Sequence, residues 1–270
     1  MSDAAARRVV AAAVRHAAAA FGERLRSAYA IGSLAHGGFA EAVSDIDVAL
    51  LLDRCDRRAV RTVARVRAAA REEHGAIAGR LSLFYGDWGT FARPGRWARM
   101  PSIDRLDLMV HGQLVYGSDL RDRHGHVPDR ATLVRDTARF ALETLSADAV
   151  RGRLRDPDAL VADGPRAVTK AALFPVRFLY TGCTGRAGGN AEAVRWYTEQ
   201  DRPHRALAEA ALAWREAPPP PGEAAPLLRA HLLPLHGEFL TTFAALPAGV
   251  DEGLAHRLLE LERTLHAGER

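Results

Sequence analysis

The sequence predicts an α/β (α+β) domain followed by an all-helical domain. Two apolar runs of strand length, Ser27–Ile31 and Val48–Leu52, lie close together in the first quarter of the chain, and such runs predict neighbouring strands. After about Ala131 the chain shows helical patterns and turns but no convincing strand. We therefore expect one domain over residues 1–125 and a second over residues 126–270.

Each element of the first domain follows from its own pattern. The first helix carries an apolar stripe at helical spacing that includes Val9, Val10 and Ala13. The almost continuously apolar run Val48–Leu52 predicts a strand that is buried on both faces. The expected elements, in chain order, are helix Asp3–Ala20, strand Ser27–Ile31, a turn or short helix Leu34–Ala42, strand Asp45–Leu52, helix Arg57–Gly75, strand Leu81–Tyr85, helix Ser102–Val110 and strand Gln113–Tyr116.

The elements of the second domain are predicted from apolar periodicity and from the glycines and prolines between the periodic segments. Pro234 falls inside one helical pattern and predicts a kink or an interruption, because proline lacks the backbone N–H of a helix interior. The expected helices are Ala131–Leu145, Arg166–Thr181, Asn190–Glu199, Arg205–Arg215, Leu228–Leu246 and Glu252–Ala267.

The composition is that of a globular protein, with 48% hydrophobic and 26% charged residues. No apolar run approaches the ~20 residues that span a bilayer, so no membrane association is expected. Cys55 and Cys183 are too few for a disulfide framework or a zinc site, and a cytoplasmic monomer or homodimer is expected. The net charge of +4 comes almost entirely from scattered arginines, which suits an anionic substrate without requiring nucleic acid.

The most informative motif is the pair Asp45 and Asp47 at the entrance of the second strand. Residues two apart on a strand point to the same side, about 6–7 Å from each other. Two like charges held together favour a cation between them, and Mg²⁺ is typically bound by one or two carboxylates plus substrate phosphates. The alternative is a solvated acidic turn at the edge of a sheet.

The residues before this pair suit a nucleotide phosphate. Gly32 ends the first predicted strand and allows close approach of the backbone to a phosphate. Ser33 adds a hydroxyl and an N–H at an expected helix start, where anions are favoured. Ser44, directly before the carboxylates, is a further nucleotide-binding candidate.

Gly32-Ser33 followed by Asp45-x-Asp47 resembles the signature of the DNA polymerase β-like nucleotidyltransferase superfamily. The second domain is similar to that of the aminoglycoside adenylyltransferases that modify streptomycin and spectinomycin. This second likeness is carried by three short segments, which are Arg177-Phe178-Leu179-Tyr180, Thr184-Gly185 and Ala193 with Trp196. The resemblance implies a nucleotidyltransferase core with a small mixed sheet, followed by a helical domain that binds substrate and nucleotide.

By this resemblance, Asp45 and Asp47 hold two Mg²⁺ ions that bind the triphosphate of ATP or another nucleoside triphosphate. AMP, or another nucleoside monophosphate, is transferred to a hydroxyl of a small polar, aminoglycoside-like molecule, as in antibiotic resistance. Phosphoryl chemistry of this kind depends mainly on positioning and charge neutralisation.

A third carboxylate, usual in the superfamily on a later strand, is not obvious in this chain. The matching position is Ser82, which cannot act as a carboxylate base. Asp87 is the first candidate for a catalytic role, Asp107 is the second and Asp104 the third. Asp87 also suits a turn, Asp104 also suits a helix cap, and the absence of any third carboxylate remains open.

The helical domain offers candidates for binding rather than chemistry. Arg177 is the first candidate for contact with nucleotide phosphates, because arginine binds phosphate bidentately, and Arg186 and Lys170 are further candidates. Trp196 and Glu192 are candidates for contact with the acceptor substrate. Each also suits an ordinary structural role in packing, in a salt bridge or on a solvated helix face.

Two competing functions remain open. The chain could be a nucleotide-binding regulatory module that keeps the metal pair and lacks turnover, which Ser82 favours. It could also be a transferase that acts on a protein or an RNA end. Unclustered arginines and an aromatic content of 7% disfavour a nucleic-acid partner.

Overall fold

The computed structural model describes residues 3–220, 222–246 and 249–267. The chain divides into two compact units, Met1–Pro128 and Asp129–Arg270. The division lies three residues beyond the boundary expected between residues 125 and 126.

The first unit is built on a small mixed sheet of four strands, as predicted. The strands are β1 (Leu25–Ile31), β2 (Ile46–Leu52), β3 (Leu81–Asp87) and β4 (Gln113–Gly117), in the spatial order β3-β2-β1-β4. β1 pairs antiparallel with β2 and with β4, whereas β2 and β3 are parallel. The parallel pair places the starts of β2 and β3 at one end of the sheet.

The described residues of the first unit form four α-helices, namely α1 (Ala4–Phe21), α2 (Arg57–His74), α3 (Ser102–His111) and the short α4 (Arg121–His124). The apolar stripe of α1 packs with α2 against one face of the sheet. Residue Leu108 of α3 packs against the other face, together with aromatic residues of the loop after β3.

The two faces of β2 follow the alternation of an extended strand. Val48, Leu50 and Leu52 contact the α1 and α2 layer. Ala49 and Leu51 contact the α3 layer. The odd-numbered residues of β2 therefore face α3, which fixes the side on which a functional side chain at position 47 lies.

The second unit is helical throughout its described residues, as predicted for the second domain. A long apolar helix runs through its core, with Phe239 and Phe243 fully buried. Gly182 allows a close helix contact there, since an added Cβ would lie 2.5 Å from the Phe243 ring. The helices are α5 (Arg130–Leu145), α6 (Asp148–Arg155), α7 (Pro157–Ala162), α8 (Pro165–Thr184), α9 (Asn190–Glu199), α10 (Arg205–Ala213), α11 (Ala224–Ala244) and α12 (Glu252–His266).

Two details of this unit differ from the sequence analysis. Helix α11 continues through Pro234, so of the two predicted outcomes the interruption is wrong and the kink stays a prediction. The short helices α6 and α7 were not predicted. In the part of the chain that the structure describes, no helix combines the length and the apolar character that crossing a membrane requires.

Candidate functional site

The candidate site forms around the turn that follows β1. The chain leaves Ile31 and enters a 3₁₀ turn over Gly32–Leu34, closed by a hydrogen bond of 3.0 Å from the Ala35 N–H to the Gly32 carbonyl. Gly32 has a φ of +66°, a left-handed conformation that favours glycine. Ser33 is partly exposed beside it.

The Asp47 carboxylate occupies the space where a side chain at position 32 would lie. An added Cβ on Gly32 would be 2.5 Å from Asp47 Oδ2, which is too close for two atoms that are not bonded. The register explains this approach, because Asp47 of β2 lies opposite Ile31 of β1. A side chain at position 32 would therefore displace the Asp47 carboxylate, so this contact favours glycine in addition to the backbone angle.

Asp45 precedes β2, which begins at Ile46 and not at Asp45 as expected. Ile46 is fully buried in the α1 and α2 layer, whereas Asp45 and Asp47 on either side of it are partly exposed. This alternation agrees with two carboxylates directed away from that layer.

Asp107 reaches the same turn from α3. Its Oδ2 atom accepts a hydrogen bond of 2.5 Å from the Gly32 N–H, and its Oδ1 atom lies 4.0 Å from His36 Nε2. The Asp107 side chain is 16% exposed. Of the third-carboxylate candidates, the structure thus brings Asp107 to the glycine that Asp47 also contacts.

Two histidines accompany this carboxylate. The rings of His36 and His111 meet edge to face, with 5.4 Å between centroids. His111 Nε2 is buried and has no hydrogen-bond partner among the described residues. His111 could not be predicted from the sequence, because one histidine near the end of a helix carries no spacing signal.

Asp87 lies at the other end of the sheet, so the structure does not bring the first third-carboxylate candidate to the pair. Asp87 is opposite Leu52 in the β2–β3 register, whereas Asp47 is opposite Ser82, and five residues of strand separate the two ends by about 16 Å. Asp87 is 6% exposed. Its oxygens accept hydrogen bonds from the Cys55 N–H (3.0 Å), the Thr90 N–H (2.8 Å) and the Thr90 hydroxyl (3.0 Å).

Ser44 also has a different place from the one expected for a nucleotide ligand. It is 4% exposed, and its hydroxyl oxygen accepts a hydrogen bond of 2.9 Å from the Ala40 N–H. Arg80 donates to the Ser44 carbonyl at 3.3 Å. Ser44 therefore stabilises the loop before β2 and presents almost no surface to a ligand.

The carboxylates of Asp45 and Asp47 offer oxygen ligands of the kind that Mg²⁺ takes. Within residues 3–220, 222–246 and 249–267, no group of three or more His, Cys, Asp or Glu side chains is arranged to hold a metal ion. Two carboxylates without soft ligands match Mg²⁺, which completes its shell with water and phosphate oxygens.

In the helical unit, three of the predicted residues lie in one cluster around Tyr180. The Tyr180 hydroxyl donates a hydrogen bond of 2.6 Å to Glu192 Oε1, and Arg186 forms an ion pair with the same atom at 3.2 Å. The Trp196 ring meets the Tyr180 ring edge to face at 5.8 Å between centroids. Burial, and then the hydrogen bond to Glu192, raise the pKa of Tyr180 to about 12.

Arg177 and Lys170 lie on α8, before Tyr180 in the chain, and both are exposed. The charge of Arg177 acts on the buried Arg215, whose pKa is lowered by burial first and by Arg177 second. Seven residues of helix separate Arg177 from Lys170, or about 10 Å.

The fold, a small mixed sheet followed by an all-helical unit, is similar to that of a solved structure. The structure is similar to the crystal structure of spectinomycin adenyltransferase AAD(9) from Enterococcus faecialis with ATP and spectinomycin. The similarity covers 86% of this chain and 98% of that chain, with a TM-score of 0.60 and 11% sequence identity. No family model matches the sequence, and no curated protein matches it. The expected resemblance is therefore confirmed at the level of the fold.

Proposed function

We propose that this protein is a Mg²⁺-dependent nucleotidyltransferase that transfers AMP from ATP to a hydroxyl of a small polar, aminoglycoside-like molecule. The observation that carries the proposal is the approach of Asp47 to the Gly32 turn. A carboxylate packed against a glycine turn places metal-binding oxygens beside a main chain that a triphosphate can approach closely, so that the two can share the ion.

Asp45 and Asp47 would hold the magnesium in this reaction, and they fit it because both are partly exposed oxygen ligands at one end of the sheet. Bound Mg²⁺ neutralises charge on the triphosphate and on the leaving pyrophosphate. The residues of the chain keep the phosphates in place for attack by the acceptor oxygen. Because the protein takes part in little covalent chemistry, positioning of the substrates accounts for most of its contribution to catalysis.

Ser33 is the residue of the turn that best suits a phosphate. It is partly exposed, whereas the N–H of Gly32 already donates to Asp107. We assign to Ser33 the hydroxyl contact with the nucleotide, and to Gly32 the conformational freedom that the turn needs.

The helical unit is proposed to bind the nucleotide and the acceptor. The similar adenyltransferase was crystallised with ATP and spectinomycin, which supports a nucleoside triphosphate and a small molecule as the two substrates. Arg177 is exposed and can contact phosphate. Glu192 already accepts from Tyr180 and Arg186, so Trp196 is the stronger acceptor-binding candidate in that cluster.

A transfer assay with purified protein tests the proposal. Radiolabelled ATP, GTP, CTP and UTP are incubated with Mg²⁺ and a panel of aminoglycosides that includes spectinomycin, and both labelled product and pyrophosphate are measured. We expect transfer from ATP, and a loss of about 10³-fold or more in Asp47→Asn, since a metal ligand contributes several kcal/mol to the barrier. The matched control is Asp122→Asn, on an exposed position of the same unit.

The second candidate function is nucleotide binding without turnover. It is favoured by Ser82, which the β2–β3 register places beside Asp47 where a third carboxylate is usual. Mg²⁺-dependent nucleotide binding with no pyrophosphate release for any acceptor would support this regulatory function and contradict the transferase. Label transferred to protein or RNA would instead identify a macromolecular acceptor.

A further inference from the structure

The carboxylate of Asp107 is engaged by the turn itself. Oδ2 accepts the Gly32 N–H at 2.5 Å, and Oδ1 lies 4.0 Å from the imidazole of His36. Both partners belong to the stretch directly after β1. Asp107 therefore connects α3 to this stretch, through one atom of the main chain and one side chain.

Gly32 is consequently held between carboxylates from two different elements. Asp47 of β2 fills the space on its Cα, where an added Cβ would lie 2.5 Å from Oδ2. Asp107 of α3 binds its N–H. Glycine adopts a φ of +66° readily, and because glycine has many accessible conformations, the two carboxylates restrict the turn to one of them.

We propose that Asp107 is a positioning residue for the Gly32–Leu34 turn, and not a third metal ligand. This inference rests on the proposed function, because it states how the turn is held for a nucleotide and Mg²⁺. A hydrogen bond from an N–H to an ionised carboxylate is stronger than a neutral one. It fixes the turn, and with it the approach of Asp47, before the nucleotide arrives.

Asparagine and alanine at position 107 separate the two roles. Asp107→Asn keeps a side-chain oxygen that can accept the Gly32 N–H but removes the charge that a metal ligand needs. Asp107→Ala removes the acceptor and leaves a part-buried N–H unpaired. A positioning role therefore predicts that asparagine preserves function and alanine impairs it, whereas a metal ligand would be impaired by both.

The experiment measures Mn²⁺ binding by electron paramagnetic resonance, and the affinity for α,β-methylene-ATP with Mn²⁺ by calorimetry. We expect Asp107→Asn to match the wild type within about threefold, and Asp107→Ala to bind the nucleotide about tenfold more weakly. The number of Mn²⁺ ions bound stays unchanged in both. Asp47→Asn is the reference for a lost metal ligand, and Asp122→Asn is the exposed control.

Loss of a Mn²⁺ ion in Asp107→Asn overturns the inference, and so does wild-type nucleotide affinity in Asp107→Ala. If the alanine variant does not fold, the asparagine variant decides alone, because only a metal ligand predicts a lost ion there. Unchanged Mn²⁺ and nucleotide binding in Asp47→Asn refutes the proposed function itself, and this inference with it. Failure of the inference alone is thus distinguishable from failure of the function.

Discussion

Asp47 and Asp87 lie at opposite ends of the same parallel strand pair, and their surroundings differ in every respect that matters for function. Asp87 is 6% exposed and accepts three hydrogen bonds from its own neighbourhood. Asp47 is partly exposed and lies against a glycine with a φ of +66°. The comparison teaches that burial and three hydrogen bonds commit the Asp87 carboxylate to the structure, whereas the Asp47 carboxylate keeps part of its surface exposed beside the turn.

Glu192 in the helical unit resembles Asp87, because its carboxylate already accepts hydrogen bonds from neighbouring groups. Its Oε1 atom accepts from Tyr180 at 2.6 Å and from Arg186 at 3.2 Å. The Glu192 carboxylate stabilises the loop after α8 through its contacts with the Tyr180 phenol and the Arg186 guanidinium. Its negative charge is already balanced, which reduces its attraction for a cationic acceptor.

The largest effect predicted by this comparison is in Gly32→Ala. The substitution adds a Cβ beside Asp47 Oδ2 and strains the left-handed backbone, so we expect Mg²⁺-dependent ATP affinity to fall about 100-fold, equivalent to about 2.7 kcal/mol. Calorimetric titration measures it. Gly37→Ala is the matched control, because Gly37 has a φ of +81° but nothing within 4 Å of an added Cβ.

Equal losses of ATP affinity in the Gly32 and Gly37 variants would contradict a functional role for the contact between Asp47 and Gly32, because backbone strain alone would then explain both losses. A small loss of thermal stability in both variants is expected and is compatible with it, since an alanine in this conformation costs about 1–2 kcal/mol.

An intermediate effect, on stability and not on activity, is predicted for Asp87→Asn. The amide of asparagine replaces one acceptor oxygen with a donor, which would face an N–H or a hydroxyl. We therefore expect the free energy of unfolding, measured with urea, to fall by about 2–3 kcal/mol. Nucleotide affinity at 20 °C, well below the transition, should stay within about twofold of the wild type. A loss of turnover in the fully folded variant would show that Asp87 acts in the chemistry after all.

The smallest effect is expected for Tyr180→Phe, and it depends on pH. The pKa of Tyr180 is about 12 in the folded protein, against 10.0 as its ordinary value. The unfolded chain therefore loses this proton first, and the free energy of unfolding falls as pH rises from 10 to 12. At neutral pH we expect the free energy of unfolding of Tyr180→Phe to be about 1 kcal/mol lower than that of the wild type. Between pH 10 and 12 this free energy should fall less steeply in the variant.

Urea unfolding at a series of pH values measures this prediction, and absorbance at 295 nm follows ionisation of the phenol. Tyr116→Phe serves as the control, because Tyr116 is 38% exposed at the sheet edge. An unchanged alkaline slope in Tyr180→Phe would mean that burial and the Glu192 hydrogen bond do not raise the pKa of Tyr180 in solution.

The sequence predicted the strands and the site turn because their signals are local. A run such as Val48–Leu52 identifies itself by composition, and the approach of Asp47 to Gly32 follows once β1 and β2 pair. Which of Asp87 and Asp107 lies near the Gly32 turn could not be predicted from local signals. It depends on where α3 packs and on which main-chain donors surround each acid, and neither is written in residue spacing.

The helices α6 and α7 escaped prediction for a related reason. They are eight and six residues long, and among their residues only Leu154, Pro157 and Leu160 are buried. Segments of this length span only about two helical turns, which is too short to show a helical period. Their helicity comes from docking on neighbouring helices, which is a tertiary effect.

Lys170 is a site at which the protein can be labelled selectively. It is the single lysine of the sequence and is exposed on α8, so an amine-reactive fluorophore has one side-chain target in the whole chain. A dye placed there reports on α8 without mutagenesis. Shielding of that amine by added nucleotide, read from the rate of acylation, would indicate how near a bound phosphate comes to this helix.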